Sequence, residues 1–310
     1  MGYTVPMYDT IIIGGGPAGL AAAVYFARQQ LRFALFTGHI GGQVAESSDI
    51  ENYLGLHELT GVNMVKKFVE HIGDYKKHFD LHEDEKVMKV DRINGGFTVA
   101  TDKGTFQTKT LLIATGSEHR KLHVPGEEDF QRKGVTYCAT CDAPLFRDKR
   151  IAIIGGGNSA MDAALFSEKY SEHIDLIVLN PELRGDDVMK DKVSKSSKIT
   201  VHYETKTIRI EGKTTVDAIV VQGKEGNEER ISVQGVFVEI GLEPVTGFID
   251  FVGKDKWGQL IVDKVNQTNV EGVWAAGDVT DITEKQIAVA VGEGSKAALS
   301  IIKYLQTRNA

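Results

Sequence analysis

The sequence predicts an α/β chain built on parallel sheets, and three observations carry that expectation. A strand, a glycine turn, a helix and a second strand occur twice in the same order. Glycine is plentiful at 33 residues and proline scarce at 6, which suits many tight turns and few disordered linkers. Three further apolar runs stop at glycine: Thr110-Leu-Leu-Ile-Ala-Thr115-Gly116, Val236-Phe-Val-Glu-Ile-Gly241 and Val273-Trp-Ala-Ala-Gly277-Asp278.

The first copy of the repeated pattern runs Asp9-Thr-Ile-Ile-Ile-Gly14-Gly15-Gly16-Pro17-Ala18-Gly19, then an alanine-rich stretch to Gln30, then Arg32-Phe-Ala-Leu-Phe36. The second runs Lys149-Arg-Ile-Ala-Ile-Ile-Gly155-Gly156-Gly157-Asn158-Ser159-Ala160, then on to Tyr170, then Ile174-Asp-Leu-Ile-Val-Leu179. Each reads as the opening βαβ unit of a dinucleotide-binding fold. The first glycine (Gly14, Gly155) permits the tight turn, and the second (Gly16, Gly157) lets the backbone approach a pyrophosphate. The third position (Gly19, Ala160) keeps helix and strand close. The helix that follows offers unpaired N–H groups and the positive end of its dipole to phosphate. One such pattern is weak evidence. Two, each between a β-rich run and an alanine-rich helix, predict two Rossmann-like dinucleotide-binding domains.

The later glycine-ended strands imply that the first domain is interrupted. Residues 1–116 and 245–310 form one expected domain, and residues 117–244 the inserted one. Gly116-Ser117 and residues 241–244 are the candidate hinges. A chain of 310 residues suits about two domains.

The formal net charge of −7 excludes the basic footprint of a nucleic-acid binder. The longest apolar run, residues 11–27, is broken by Gly14-Gly15-Gly16-Pro17 and is short for a membrane span. Residues 1–10 carry no basic residue and no leader-like apolar run. Pro6 stands where myristoylation wants Ser or Thr. The expectation is a cytoplasmic protein with neither nucleic-acid nor membrane partner.

The two cysteines of the chain sit together as Cys138-Ala-Thr-Cys141. An isolated CxxC in a long α/β chain reads as a redox pair. A helix start and the CxxC spacing lower the pKa of one thiol. Asp142 follows directly and is the candidate general acid and base for thiol–disulfide exchange. A structural zinc wants four ligands. Two cysteines are present and His119 and His123 lie well upstream, so no metal is expected.

A dithiol that reduces must be recharged. Nicotinamides deliver two electrons as hydride, and a flavin passes such a pair to a disulfide. FAD in the first site, NADH or NADPH in the second, and Cys138–Cys141 beside the flavin make one closed electron path. The cysteines precede the second glycine turn by about a dozen residues, so both belong to the inserted domain. If both use one flavin face they must take turns, which domain rotation about the crossings would allow.

With these residues in view, the chain resembles the low-molecular-weight thioredoxin reductases over essentially its whole length. The resemblance is carried by residues 14–19, Thr37-Gly38, Gly41-Gly42-Gln43, Glu51-Asn52-Tyr53-Leu54-Gly55, residues 137–142 and 155–160, Ala276-Gly277-Asp278 and Lys285-Gln286-Ile287. It implies a homodimer and a thioredoxin- or glutaredoxin-like acceptor. It also implies that Cys141 lies next to the flavin and that Cys138 attacks the partner disulfide. The candidate flavin residues are Gly14, Gly16, Pro17, Ala18, Gly19, Thr37, Gly38, Gly42, Gln43, Asn52, Thr115, Gly116, Gly277, Asp278, Gln286 and Ile287, with the backbone near Val87 at the adenine. The candidate nicotinamide-nucleotide residues are Gly155, Gly157, Asn158, Ser159 and Ala160.

The dinucleotide fingerprint expects an acidic residue after the second strand. Thr37 takes that place in the first copy, a variant the family shares. In the second copy Leu179-Asn-Pro-Glu-Leu-Arg184 has one arginine with Glu182 close by, where NADPH-specific members carry several arginines, and Asn180 stands where an acidic residue would mark NADH. Arginine forks suit a phosphate and a carboxylate repels one. Residues 180–193 and 285–299 look more like the flavoprotein subunit of alkyl hydroperoxide reductase, which uses NADH and has an added N-terminal thioredoxin-like region. This chain reaches its first glycine turn by residue 14, which implies a separate acceptor protein. The segment Cys138-Ala-Thr-Cys141-Asp142-Ala143-Pro144 also resembles ferredoxin-dependent flavin thioredoxin reductases. Ferredoxin, or a reduced deazaflavin, is therefore an alternative donor.

Three other readings compete with this one: a redox-responsive flavin-binding protein without turnover, a peroxide-forming NAD(P)H oxidase, and metal binding at His82-Glu83-Asp84-Glu85. The last reads as a solvated turn, because adjacent residues alternate in direction. Trp257 and Trp274 are expected in packing or interfaces, and residues 288–298 in a packed helix.

Overall fold

A computed structural model describes residues 7–46, 50, 52–56 and 58–308, the side chains of Glu46, Thr140 and Cys141 excepted. The chain divides into two compact units, residues 1–118 with 243–310 and residues 119–242.

The first unit opens with β1 (Tyr8–Ile13), α1 (Pro17–Arg28) and β2 (Phe33–Thr37), the first repeat of the pattern. Helix α2 (Gly61–Gly73) is capped by the Thr60 side chain, which accepts from the Asn63 N–H. Then follow β3 (Asp80–Glu83), β4 (Val87–Ile93), β5 (Gly96–Thr101) and β6 (Thr105–Ile113). The chain leaves through β7 (Ser117–His119).

The second unit contains β8 (Val135–Thr136), α3 (Ala139–Asp142), β9 (Arg150–Ile154), α4 (Asn158–Ser167), β10 (His173–Ile177) and α5 (Asp187–Lys195). It continues through β11 (Ile199–His202), β12 (Lys206–Gly212), β13 (Val216–Gln222), β14 (Glu228–Ser232) and β15 (Gly235–Val238). Strand β16 (Leu242–Pro244) returns the chain and pairs with β7. Strand β17 (Val273–Ala275) and the long α6 (Ile287–Arg308) complete the first unit.

In the first unit β3-β2-β1-β6 run side by side in parallel, β17 adds to β6 in parallel, and β5 and β4 extend the sheet antiparallel. Strands covered on both faces show continuous apolar runs rather than alternation. Ile12, Leu35 and Leu112 point into a layer made with α1 and α6. Their neighbours Ile11, Ile13, Leu111 and Ile113 point the other way, onto Ile249, Val252 and Leu260. Helices α1 and α6 pack backbone to backbone: a Cβ on Gly294 would lie 2.0 Å from the Ala18 carbonyl oxygen. The alanine-rich stretch is thus a packed helix. Trp274 is fully buried and donates its indole N–H to Ser300 at 3.0 Å, whereas Trp257 is largely exposed.

The second unit repeats the plan with a parallel sheet ordered β11-β10-β9-β15-β8. Ile151, Ile153 and Leu176 face α4, and Ala152, Ile154 and Ile177 face the antiparallel β12-β13-β14 sheet. Asp175, buried in β10, is held by Arg150 at 2.7 Å and His202 at 2.9 Å. Among the described residues no helix is long and apolar enough to cross a membrane.

The turn expected at residues 82–85 forms at Asp84, at φ +52°, with Glu83 and Asp84 exposed, but its flanks His82 and Glu85 are not solvated. The buried Glu85 accepts from the Thr101 hydroxyl at 2.6 Å and pairs with His82 Nδ1 at 2.8 Å, while His82 stacks on Phe36. Among the described residues no group of three or more His, Cys, Asp or Glu gathers to hold a metal.

Candidate functional site

Two sites stand at the carboxyl ends of the two parallel sheets, where α/β folds place ligands. In the first unit, Gly14 turns the chain at φ +114°. A Cβ there would lie 2.2 Å from the Ala114 carbonyl oxygen, so only glycine fits. The Gly14 N–H donates to the Phe36 carbonyl at 2.8 Å, and a Cβ on Gly19 would strike the Gly14 carbonyl at 1.9 Å. Gly16 differs, because a Cβ there meets nothing within 4 Å. Gly16 is the N-cap of α1, no side chain caps that helix, and its first turn holds no acidic residue. Pro17 sits at the helix start, where it sacrifices no hydrogen bond. The open glycine face and the uncapped helix end form a cradle that suits a pyrophosphate.

The other candidate residues of this unit gather around that turn. The Gly41 N–H donates to the Gly15 carbonyl at 2.8 Å, and Gly42, at φ +55°, lies against Gly16. A Cβ on Gly277 would come within 3.2 Å of Ala18. Gln43 donates to the Ser117 carbonyl at 2.6 Å, and the Ser117 hydroxyl donates to the Asp278 carbonyl at 3.1 Å. Asn52 donates to Gln286 at 3.0 Å, immediately before α6 begins at Ile287. The Thr115 hydroxyl donates to the Val245 carbonyl at 2.7 Å, and the Val245 N–H to the Gly116 carbonyl at 3.0 Å. Gly38 is exposed, with open space where a side chain would be. Burial raises the Asp278 carboxyl above its ordinary range while Lys285 pulls it back. Burial likewise lowers the Lys285 ammonium, which donates to the Asp278 and Thr280 carbonyls.

Two candidate residues behave differently from the rest. Val87 opens β4 with its side chain in the core, in the same cluster as Ile11, Ile13 and Phe36. The Thr37 side chain is turned inward: it packs on Gly15, and its hydroxyl donates to the His39 carbonyl at 2.8 Å. Glu51 lies outside the described residues.

In the second unit Gly155, at φ +147°, would place a Cβ 2.1 Å from the Glu239 carbonyl oxygen, and Gly157 again meets open space. Helix α4 begins there without a side-chain cap or an acidic first turn, and Ala160 is buried behind Ser159. Asn158 braces the following loop, accepting from the Asp186 N–H at 2.9 Å. The Arg184 N–H donates to the Gly156 carbonyl at 2.7 Å. The side chain packed against Gly156 is Val178, so Val178, rather than Asn180, is the counterpart of Thr37.

The cysteine turn stands on the same sheet, between β8 and α4. Cys138 is disulfide-bonded, and its N–H donates to the Thr136 hydroxyl at 3.3 Å. That hydroxyl donates in turn to Asp142, whose N–H closes the turn on the Cys138 carbonyl at 3.2 Å. The side chain of Cys141 lies outside the described residues.

Three residues at these sites are absent from the candidate site residues above, Ser117 being expected there only as part of a hinge. Ser117 links Gln43 to Asp278. Glu293, buried in α6, accepts from the Gly277 N–H at 2.9 Å. Glu239 follows β15, and its carboxylate faces the Ala139 backbone N–H, which draws its pKa down against burial. A lone carboxylate inside an otherwise alanine- and glycine-rich helix is the available signal for Glu293. For Glu239 it is a charge at the end of a buried strand.

Residues 8–294 match the model of the pyridine nucleotide-disulphide oxidoreductase family. The chain is 37% identical over 305 residues to an alkyl hydroperoxide reductase subunit of Escherichia coli (strain K12), covering 96% of this chain and 58% of that protein. It therefore spans less than two thirds of that relative. The thioredoxin reductase of Lactococcus lactis has a TM-score of 0.83 to this fold at 32% identity, covering 97% of this chain and 99% of that one. The thioredoxin reductase of T. acidophilum has a TM-score of 0.80 at 34% identity, covering 98% and 99%. The chain thus belongs to the pyridine nucleotide-disulphide oxidoreductase family, a flavin disulfide oxidoreductase family that uses FAD and NAD(P)H.

Proposed function

We propose that this protein is a thioredoxin reductase-like enzyme that carries electrons from NAD(P)H to the disulfide of a thioredoxin- or glutaredoxin-like protein through Cys138 and Cys141. The observation that carries the reading is the disulfide-bonded Cys138, in a turn on the same parallel sheet as an uncapped glycine turn. Bound FAD supplies two-electron chemistry that links a hydride donor to a disulfide. Gly16, Gly42 and the start of α1 bind its pyrophosphate; Asn52, Asp278, Gln286 and Ile287 orient the rest. Gly157 and the start of α4 bind the nicotinamide nucleotide. Once the disulfide is reduced, Cys138 attacks the partner disulfide and expels one partner sulfur as thiolate; Cys141 then displaces the other and re-forms the Cys138–Cys141 bond, with Asp142, held by Thr136, moving the protons. The working form is a cytoplasmic homodimer whose two units alternate in orientation.

Anaerobic stopped-flow absorbance of the yellow protein, mixed in parallel with NADH and with NADPH, tests the donor. Rapid loss of the flavin band with one nucleotide is expected, and NADH is favoured because Glu182 stands near the lone Arg184. Slow bleaching by both would turn the reading to ferredoxin or a reduced deazaflavin. Cys138→Ser is expected to stay yellow and lose partner-disulfide turnover by at least about a thousandfold. Turnover by the Cys138→Ser, Cys141→Ser double variant would overturn the mechanism.

A further inference from the structure

The two glycine turns are built alike, and one difference between them falls beside the cysteines. In the first unit the Ala114 N–H donates to the Ile13 carbonyl at 2.7 Å, and the Ala114 carbonyl fills the space beside Gly14. In the second, the Glu239 N–H donates to the Ile154 carbonyl at 2.8 Å, and the Glu239 carbonyl fills the space beside Gly155. A position that is a buried methyl in one copy is therefore a carboxylate in the other.

Strand β15 lies between β9 and β8. Glu239, one residue past its end, is flanked by the glycine turn that follows β9 and the cysteine turn that follows β8. In the β15–β8 register Val236 and Phe237 pair with Val135 and Thr136, which sets Glu239 level with Cys138, and its carboxylate faces the N–H of Ala139, the first residue of α3. The backbone of Glu239 is pinned on the other side by Ile154. One residue thus ties the cysteine turn, through its side chain, to the glycine turn, through its backbone.

We propose that Glu239 is a positioning residue that holds the Cys138 turn through Ala139 and sets the acidity of the thiol that reduction releases at Cys138. The inference rests on reading Cys138 as redox-active. An ionised carboxylate on the Ala139 N–H puts negative charge one residue from the sulfur and occupies a donor that would otherwise favour a thiolate. Ionised Glu239 therefore disfavours the Cys138 thiolate, and neutral Glu239 releases that restraint.

Burial raises the Glu239 carboxyl to about 7, with His119 and the Ala139 N–H pulling it down and Asp162 on α4 pushing it up. Asp142, across the cysteine turn, is engaged by Thr136. The switch between the two states of Glu239 consequently falls in the neutral range, and the Glu239 and Cys138 titrations are coupled.

The test is the pH dependence of thiol reactivity in the flavin-loaded protein. Wild type, E239Q and E239D are reduced anaerobically with dithiothreitol, freed of it, and labelled with iodoacetamide from about pH 5 to about pH 9. Label on the Cys138 peptide is then counted by mass spectrometry. E239Q keeps an oxygen for the Ala139 N–H but loses the charge. Its Cys138 midpoint is expected to fall by roughly one pH unit, giving labelling about threefold faster near pH 8 and unchanged labelling near pH 5.5. E239D is expected to keep the wild-type dependence. Wild type and E239D, unlike E239Q, are expected to show an added inflection near neutral pH, about 7 for wild type. Superimposable wild-type and E239Q profiles would overturn the proposal. So would a single-step wild-type profile, which decides the matter even if E239Q does not fold. Because the dithiol does the reducing, labelling needs no turnover. Failure of NAD(P)H-driven turnover would count against the functional reading and leave this measurement standing.

Discussion

The first and second glycine turns share a backbone plan down to individual hydrogen bonds, and they differ in how much chain is folded over them. Gly14 and Gly155 donate to Phe36 and Ile177, and Gly15 and Gly156 accept from Gly41 and Arg184. Over the first turn, Gly42 lies against Gly16 and Gly277 against Ala18, with links through Gln43, Ser117 and Asp278 beyond. Over the second, the chain offers the Asn158–Asp186 bond and a loop in which Glu182 and Arg184 are exposed. A turn enclosed by distant segments suits a cofactor that stays, and an open turn suits a nucleotide that comes and goes. The motif thus fixes the shape of the turn, while distant segments decide how far it is enclosed.

The largest effects are expected at the glycines that cannot carry a side chain. Gly14→Ala would force a methyl within 2.2 Å of a backbone carbonyl at φ +114°. A loss on the order of 3 kcal/mol or more is expected, giving colourless and poorly folded protein. Gly155→Ala meets the same obstruction at 2.1 Å in the second unit. Purification yield, flavin absorbance and thermal melting check both. Yellow, normally melting Gly14→Ala protein would mean the turn is looser than its geometry indicates.

Next in size is Gly157→Ala, where a methyl meets nothing within 4 Å of the protein itself. The variant is expected to fold, stay yellow and lose roughly tenfold in affinity for NAD(P)H, about 1.4 kcal/mol, seen in the nucleotide concentration needed to bleach the flavin. Unchanged bleaching would place the nucleotide elsewhere. Gly16→Ala in the first unit is the matched control: it should fold and release flavin more readily, leaving apoprotein after dialysis.

Much of this is legible in the sequence, because the constraints are local. A glycine that must sit against a carbonyl, an apolar run covered on both faces, and two cysteines three apart all announce themselves within a dozen residues. The α/β class with two parallel sheets follows from them. What is not legible depends on partners far along the chain. Glu239 meets Ala139 a hundred residues away, and Glu293 finds its donor at Gly277 across a loop. Simple alternation makes His82 and Glu85 look solvated, and a single left-handed residue at Asp84 undoes it. The strand of the second repeat also ends at Ile177, earlier than its apolar run, which makes Asn180 rather than Val178 look like the counterpart of Thr37.

That counterpart relation gives the smallest and most discriminating test. Thr37 and Val178 are near-isosteric and pack on equivalent glycines, so the protein has already made the Thr-to-Val exchange between its two halves. Thr37 adds a hydroxyl that donates to the His39 carbonyl at 2.8 Å and steadies the turn leading to Gly41 and Gly42. Because its proton goes to the His39 carbonyl, that hydroxyl keeps only acceptor lone pairs for a ribose. Thr37→Val is therefore expected to keep a full complement of flavin while losing about 1 kcal/mol of stability, the ordinary net worth of one partly buried hydrogen bond. Melting followed by released flavin fluorescence measures the loss, and the absorbance ratio of flavin to protein measures occupancy. A drop in occupancy without a drop in melting temperature would mean that Thr37 touches the cofactor directly, and the inward packing on Gly15 would then be the wrong account of why threonine stands there.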